Sequence, residues 1–239
     1  MHMTARKALT ILVVLCLPVA GHAQQNEAAA PLQIRAVLHD PVNPTAELFL
    51  RDQTGSVVRL KLVAEGLSEE QATLPANGSL VLYSSATVDP KKPEASLAAS
   101  VRIPPNTKRA IVLVLPGPAD TKPAYRMVLI NDSTAAFPKG ESRVISLVPV
   151  ETAIEAGEHK LPVPAGKVTH VPAVKKVNDF NMAQTNFYYK DGSAWVPFTE
   201  RQLQYLDEFR RIFIIHVTPG STQPAVTTII DTTPLVPPK

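Results

Sequence analysis

Apolar and polar residues alternate over short segments of the chain, which is the periodicity of a strand with one buried face. In the first such segment Leu32, Ile34 and Leu38 alternate with Gln33 and Arg35. Prolines and glycine-containing turns separate one segment from the next, as expected for short strands joined by turns. The pattern predicts strands at Leu32–His39, Glu47–Arg51, Val58–Leu62, a segment ending at Tyr83, Ala98–Ile103, Arg109–Leu115, Tyr125–Ile130, Arg143–Val148, Lys167–Val171, Thr185–Tyr189, Ala194–Phe198, Arg211–Val217 and Val226–Asp231.

Within this pattern Arg109–Leu115 is a continuous apolar run, which is typical of a central strand buried on both faces. The 23 prolines of the chain disfavour long helices, because an internal proline destabilises a helix by about 3 kcal/mol. One segment is also compatible with a short helical turn. Thr199 and Gln202 have the spacing of a capping box, and apolar residues recur every third position over 203–209. The fold class expected from these features is all-β.

Two segments of the chain resemble each other. Each contains an apolar strand, then Pro-Gly, then Pro-Ala, and finally an acid with hydroxyl residues. The two segments are "RAIVLVLPGPADTKPAYRMVLINDST", from Arg109, and "RIFIIHVTPGSTQPAVTTIIDTTP", from Arg211. The alignment pairs Val112 with Ile214 and predicts matching core positions for them. It predicts two tandem immunoglobulin-like β-sandwich domains from an internal duplication, which unfold separately because interfaces between such domains are usually modest. Alternatively, the similarity of the two segments arises by chance from the composition, and the chain forms one larger merged sandwich.

The first residues have the pattern of a secretory signal peptide. Arg6 and Lys7 precede an uncharged, mainly apolar run at 8–20, and small residues lead to a cleavage site after Ala23. The expected organisation is a signal peptide at 1–23, a flexible leader at 24–31, a first β-sandwich at 32–134, a second at 135–234 and a tail at 235–239.

Cleavage changes the chemistry expected of the working protein. Cys16, the single cysteine, lies within the apolar run and follows Leu15, where a lipoprotein signal has a small residue. We therefore expect a mature chain without disulfides, thiolate metal sites or a cysteine nucleophile. The chain has 24 Lys and Arg against 21 Asp and Glu, and two of the cations leave with the signal. A nearly neutral periplasmic or extracellular protein is expected, without nucleic acid as a partner and without an integral membrane span.

No catalytic motif is present in the sequence, and the histidines are not spaced as local ligand pairs. His216 lies in the apolar segment "IFIIHV", which favours a satisfied core or sheet histidine. Asp52 and Asp191 lie beside glycine-containing turns and are interpreted as turn residues. We expect no enzymatic activity, no metal and no cofactor.

Aromatic residues cluster around one predicted hairpin. Tyr188, Tyr189 and Trp195 are the candidate binding residues, since aromatic side chains on one face can form a contact patch for carbohydrate or peptide. The alternative is a cross-strand ladder that stabilises the hairpin, together with Phe187 and Phe198.

The region from about Pro138 to Asp231 resembles a loose family of uncharacterised bacterial exported β-sandwich proteins, through "FPKGESRVISLVP", "VPAGKVTHV" and "RRIFIIHVTPG". That family has no assigned activity, so the resemblance implies a fold and no site residues. The expected function is an exported envelope-associated binding or structural module, with an unknown protein or an envelope polysaccharide as partner. One alternative is a periplasmic chaperone-like or secretion accessory protein that acts through an edge strand, as in the pilus chaperones. The other is a hydrolase with a dispersed site.

Overall fold

A computed structural model describes residues 31–118 and 120–232, and the fold of these residues is all-β, as predicted. The signal peptide predicted at 1–23 and the tail at 235–239 lie outside the described residues, as does nearly all of the leader. The first half contains β1 (Leu32–Leu38), β2 (Thr45–Arg51), β3 (Val57–Val63), β4 (Gln71–Thr73), β5 (Ser79–Tyr83), a 3₁₀ turn (Pro93–Ser96), β6 (Leu97–Arg102), β7 (Arg109–Pro116) and β8 (Tyr125–Asn131). The second half contains β9 (Ser142–Ser146), β10 (Thr152–Ala156), β11 (His159–Val163), β12 (Val168–Val171), β13 (Met182–Asp191), β14 (Ala194–Gln204), β15 (Arg210–Val217) and β16 (Pro224–Asp231).

The strands form four four-stranded sheets, two in each half. In the first half the strand orders are β4-β1-β7-β8 and β3-β2-β5-β6, and in the second half they are β12-β9-β15-β16 and β11-β10-β13-β14. Each strand of the first half therefore has a counterpart eight strands later, including the parallel pairs β1–β7 and β9–β15. An internal repeat predicts this equivalence. Descent from a duplication and a specific likeness to immunoglobulin domains stay predictions.

Three apolar layers hold the four sheets together. One layer lies between the two sheets of each half, and the third, called here the interlayer, joins β1, β7 and β8 to β9, β15 and β16. The sheets β4-β1-β7-β8 and β12-β9-β15-β16 are therefore the inner sheets, and the other two are the outer sheets.

Alternate residues of β7 show why its sequence is apolar throughout. Val112 and Val114 pack in the core of the first half, whereas Ile111 and Leu113 pack in the interlayer. Both sets are fully buried, so the prediction of a doubly buried central strand at Arg109–Leu115 is confirmed.

The predicted match of Val112 with Ile214 is wrong by one residue. Val112 lies in the core of the first half, but Ile214 lies in the interlayer, next to Phe213 in the core of the second half. Strand pairing instead makes Arg210 the counterpart of Arg109. With this assignment, β7 pairs with β1 in the same register as β15 pairs with β9. A one-residue shift moves a side chain to the opposite face of a strand, and the doublet Arg210-Arg211 concealed the shift.

The short helical turn considered at Thr199 does not form, because β14 continues to Gln204. Thr199 pairs with Phe187 across the antiparallel β13–β14 hairpin, so the capping-box spacing was a coincidence. The strands β10 and β11 were not predicted, although Thr152, Ile154 and Ala156 are alternately buried. Their sequences show the alternation weakly, because β10 has one large apolar residue at its buried positions and β11 contains Pro162.

Candidate functional site

A groove with a volume of about 390 Å³ lies on the outer sheet of the second half. Its position follows from pairing across three strands: Ala153 of β10 lies between Pro162 of β11 and Tyr188 of β13. Trp195 of β14 lies at the same groove, opposite Lys190. The walls are mainly apolar, and the polar groups come from one small cluster.

That cluster contains Glu155, Lys160 and Tyr188. The Tyr188 hydroxyl donates a hydrogen bond of 2.9 Å to Glu155 Oε2, and Lys160 Nζ lies 2.6 Å from Glu155 Oε1. The hydrogen bonds from Lys160 and Tyr188 lower the pKa of Glu155, so its carboxylate is charged at neutral pH. The groove thus presents a carboxylate with fixed orientation beside an aromatic ring.

Trp195 supplies the exposed aromatic surface of the groove. Its side chain is 47% exposed, and Lys190 Nζ lies 5.9 Å from the ring centroid. It is also the single tryptophan of the chain. An indole that is both exposed and neighboured by a cation has the amphipathic character common in binding surfaces.

The structure divides the predicted aromatic patch between two faces. Tyr188 and Trp195 line the groove, but the Tyr189 ring packs 6.1 Å from Phe198. Phe198 in turn lies 6.3 Å from Phe187 in the core of the second half. Tyr189 therefore belongs to the cross-strand ladder that was the alternative, and the binding patch contains two of the three residues. Glu155, Lys160 and Pro162 were missed because they lie on β10 and β11, which the sequence did not reveal.

The strand β14 forms one edge of the same outer sheet. It is 11 residues long, and its sheet neighbour is β13. Pro197, Glu200 and Arg201 are exposed along it. Proline and charged residues on an edge strand oppose pairing with a further strand.

A buried cluster of four charged residues closes one end of the interlayer. Arg35 and Asp132 come from the first half, and Arg210 and Asp231 come from the second. Arg35 donates hydrogen bonds to both carboxylates, at 3.0 Å to Asp132 and 2.8 Å to Asp231. Arg210 does the same, at 2.8 Å to Asp132 and at shorter range to Asp231. The Arg/Asp cluster therefore links the two halves through charge-assisted bonds.

The connection between the halves is anchored at this cluster. Phe137 is fully buried, and its carbonyl oxygen accepts a 3.0 Å hydrogen bond from Arg210 Nη1. Arg210 also lies 4.5 Å from the centroid of the Phe137 ring. Burial alone would raise the pKa of Asp231, but hydrogen bonds from Arg35 and the charge of Arg210 outweigh it and hold that pKa far below its usual value. The Asp231 carboxylate is therefore ionised at neutral pH.

The other end of the interlayer contains two histidines beside a cleft of about 320 Å³. His39 follows β1 and His216 lies on β15, and their ring centroids are 4.5 Å apart with an angle of 65° between the rings. Burial, with the adjacent His216, lowers the pKa of His39 to about 4, and burial also lowers the pKa of His216. Both rings are therefore neutral near pH 7.

His216 is a sheet residue of β15, which agrees with the prediction, but its ring is only partly hydrogen-bonded. Its Nε2 lies 3.1 Å from Thr227 Oγ1, but its buried Nδ1 has no hydrogen-bond partner in the described part of the chain. His39 was not singled out by the sequence, since its 177-residue separation from His216 hides their contact. Sequence spacing reveals local ligand pairs only.

Comparisons with known proteins add no relative. No family model matches the chain, and no curated protein matches it significantly. The resemblance to uncharacterised exported β-sandwich proteins therefore stays a prediction. Within residues 31–118 and 120–232, no helix has the length and apolar character needed to cross a membrane. In the same residues, no group of three or more His, Cys, Asp or Glu is arranged to hold a metal ion.

Proposed function

We propose that this protein is an exported binding module of the cell envelope, and that the groove at Tyr188 and Trp195 holds its ligand. The observation that carries the proposal is the apolar groove with convergent polar groups on an exposed sheet face. Its volume of about 390 Å³ falls within the range of small-ligand sites, about 300–1,000 Å³. Support for export comes from the pattern of residues 1–23 alone.

The chemistry of the groove favours an envelope polysaccharide as the ligand. A sugar ring has apolar C–H faces, which pack on exposed aromatic rings, and hydroxyl groups at its rim, which bond to carboxylates and ammonium groups. The groove offers both kinds of partner, with Tyr188 and Trp195 beside Glu155 and Lys160. In this proposal the module binds its ligand and breaks no bond in it.

A second candidate function is strand addition by a partner protein at β14. The length of β14, 11 residues, favours it, because a long edge exposes unpaired backbone groups. Pro197 and the charged pair Glu200 and Arg201 oppose it. A hydrolase has less support, because the histidine-lined cleft is lined by no carboxylate among the described residues.

Trp195 fluorescence tests the groove directly, because no other tryptophan contributes to the signal. We expect soluble β-linked oligosaccharides of bacterial envelope polysaccharide to shift the emission of Trp195 in a saturable way. Tyr188→Ala should weaken this binding at least tenfold, because it removes both a wall and the orientation of Glu155. Phe180→Ala is the matched control, since Phe180 is an aromatic residue exposed by 75% outside the groove.

The outcomes separate the candidates. Equal loss of binding in the Phe180 and Tyr188 variants, or no oligosaccharide binding at all, would contradict the groove proposal. Saturable binding of extended peptides that is abolished by proline substitutions in β14 would favour strand addition instead.

Export has a separate test. Intact-mass measurement of the protein recovered from a bacterial envelope fraction should give a chain that begins at Gln24. A retained apolar segment or a fatty-acylated Cys16 would overturn this part of the proposal.

A further inference from the structure

We propose that the ligand of the groove at Tyr188 and Trp195 is an internal stretch of an uncharged, unbranched polysaccharide, which continues from the groove along the outward side chains of β13 and β14. The inference rests on the proposed function, because it extends the same binding site. It adds the direction in which the ligand lies, the residues that contact its further sugars, and its charge class.

A polar lane on β13 leads away from the groove. Every second residue of β13 is buried against the core of the second half, so Gln184, Asn186 and Tyr188 point to the opposite, outward face. From Gln184 to Lys190, which lies opposite Trp195, six steps along the strand at about 3.3 Å each give a length of about 20 Å. The lane and the groove together can therefore hold several sugar rings in a row.

Hydrogen bonds join the lane to the groove. Gln184 Nε2 donates to Asn186 Oδ1 at 2.6 Å, and Asn186 Nδ2 donates to the Tyr188 hydroxyl at 3.3 Å. That hydroxyl donates to Glu155 Oε2, so a continuous chain of hydrogen bonds runs from the far end of the lane into the groove. Side chains that are already oriented lose less conformational entropy when a ligand binds, which favours the lane as part of the site.

The strand β14 widens the lane with similar chemistry. Gln202 lies opposite Gln184, Glu200 lies opposite Asn186, and both residues of β14 are exposed. A side-chain amide both donates and accepts hydrogen bonds, as the hydroxyl and acetamido groups of sugars do. We therefore expect the groove to pack on the apolar face of one sugar, and the lane to bond to the polar rims of the sugars that follow.

The charges of this face select against an anionic ligand. The two lysines near the aromatic rings are already paired: Lys160 Nζ lies 2.6 Å from Glu155, and Lys190 Nζ lies 2.8 Å from Glu151. Glu200 adds a further exposed carboxylate. A uronate or phosphate group on the ligand would compete with Glu155 and Glu151 for the lysines and would be repelled by Glu200. An uncharged polysaccharide meets neither cost.

Titrations of Trp195 fluorescence with oligosaccharides of two lengths test the inference on the full chain. The uncharged probes are the disaccharide and hexasaccharide of N-acetylglucosamine and those of β-linked glucose, and hexagalacturonate is the anionic probe. An uncharged hexasaccharide should bind at least tenfold more tightly than its disaccharide, because linked sugars occupy neighbouring subsites at a high effective concentration. Hexagalacturonate should bind at least tenfold more weakly than that hexasaccharide. The affinity of the uncharged hexasaccharide should be the same at low and high salt, because no ion pair with the ligand is screened.

Two glutamines test the lane itself. The double variant Gln184→Ala, Gln202→Ala should lower the affinity for the hexasaccharide at least tenfold, toward that of the disaccharide. The matched control is Gln53→Ala, Gln223→Ala, which removes two exposed glutamines from turns outside the lane and should leave the affinity unchanged. All four side chains are exposed, so both double variants should retain the circular dichroism spectrum of the unaltered chain.

The outcomes separate this inference from the proposed function. No fluorescence change with any of the oligosaccharides would contradict both. Four other results would overturn the inference alone and leave the groove as the binding site: equal affinity for disaccharide and hexasaccharide, binding of hexagalacturonate as tight as that of the uncharged chain, a marked fall of affinity with salt, or equal affinities of the two double variants.

Discussion

The two ends of the interlayer join the same pair of sheets with opposite chemistry. At one end Arg35, Asp132, Arg210 and Asp231 are buried, charged and mutually hydrogen-bonded. About 13 Å further along β1, at four residues of about 3.3 Å each, the His39 ring packs against the His216 ring, with the two centroids 4.5 Å apart. The charged cluster links the halves through hydrogen-bonded ion pairs, whereas the histidine pair links them through the contact of two neutral rings beside a cleft.

The difference has a physical origin in the cost of burial. Removing a charge from water costs several kcal/mol, and removing one partner of a buried ion pair leaves that cost uncompensated. A neutral imidazole can be buried at lower cost, because its ring is largely apolar and its pKa shifts instead. The histidine end can therefore be buried without a hydrogen bond at every ring nitrogen, whereas the charged end depends on its ion pairs.

The largest expected effect comes from breaking the charged end. Asp231→Ala leaves Arg35 and Arg210 buried with one carboxylate between them, so we expect a loss of about 3–5 kcal/mol in the free energy of unfolding. Urea denaturation measures it. Asp207→Ala, which removes an exposed ion pair with Lys175, should cost less than about 1 kcal/mol. Similar costs for the two variants would mean that the Arg/Asp cluster is not a buried network.

The apolar middle of the interlayer should respond almost as strongly. Ile214→Ala is expected to cost about 2–4 kcal/mol, because it leaves a cavity between the inner sheets. Phe213→Ala, one residue away, empties the core of the second half and provides the comparison. If Ile214→Ala costs under about 1 kcal/mol, the interlayer is loosely packed.

A smaller effect is expected at the histidine end as the pH falls. The folded-state pKa of His39, about 4, lies below the unfolded value of 6.5. The folded chain therefore resists protonation, so this contribution is complete above pH 6.5 and is lost as the pH falls from 6.5 toward 4. We expect a loss of about 1–3 kcal/mol across this window, and His39→Gln should remove most of it. A flat stability profile over this range in the unaltered chain would contradict the burial of the pair.

The charged end should respond in a lower pH window. The pKa of Asp231 is held far below its unfolded value of 3.8, so the stability it provides is complete above that pH and is lost as the pH falls below it. Asp231→Asn should reduce this acid dependence and leave the histidine window unchanged. If the substitution alters both windows equally, the two ends are coupled.

Part of this organisation was predictable from the sequence, and the reasons differ between elements. Period-two patterns identified most strands, and the uniformly apolar Arg109–Leu115 identified a strand buried on both faces. The short β10 and β11 were missed, and with them Glu155 and Lys160 of the groove. Pattern reasoning depends on large apolar residues at the buried positions, and β10 has only Ile154 there.

The polar clusters were beyond sequence reasoning because their members are distant along the chain. Arg35 and Asp231 are 196 residues apart, and an arginine in an alternating strand ordinarily indicates the solvent face. Arg35 faces a second buried layer instead, which exists only because two sandwiches pack together. The predicted aromatic patch was only partly correct for a related reason. Tyr188 and Tyr189 are adjacent in a strand, so their side chains point to opposite faces of the sheet, and only Tyr188 lines the groove.

The central claim is that the interlayer makes the two halves one cooperative unit, and two-probe urea denaturation of the unaltered protein tests it most directly. Trp195 fluorescence reports the second half alone, whereas far-UV circular dichroism reports the strands of both halves. A shared buried layer predicts that the two signals follow a single, superimposable transition with one midpoint. A fluorescence transition displaced from the circular dichroism transition, or a circular dichroism curve with two steps, would show that the halves unfold separately and would contradict the account.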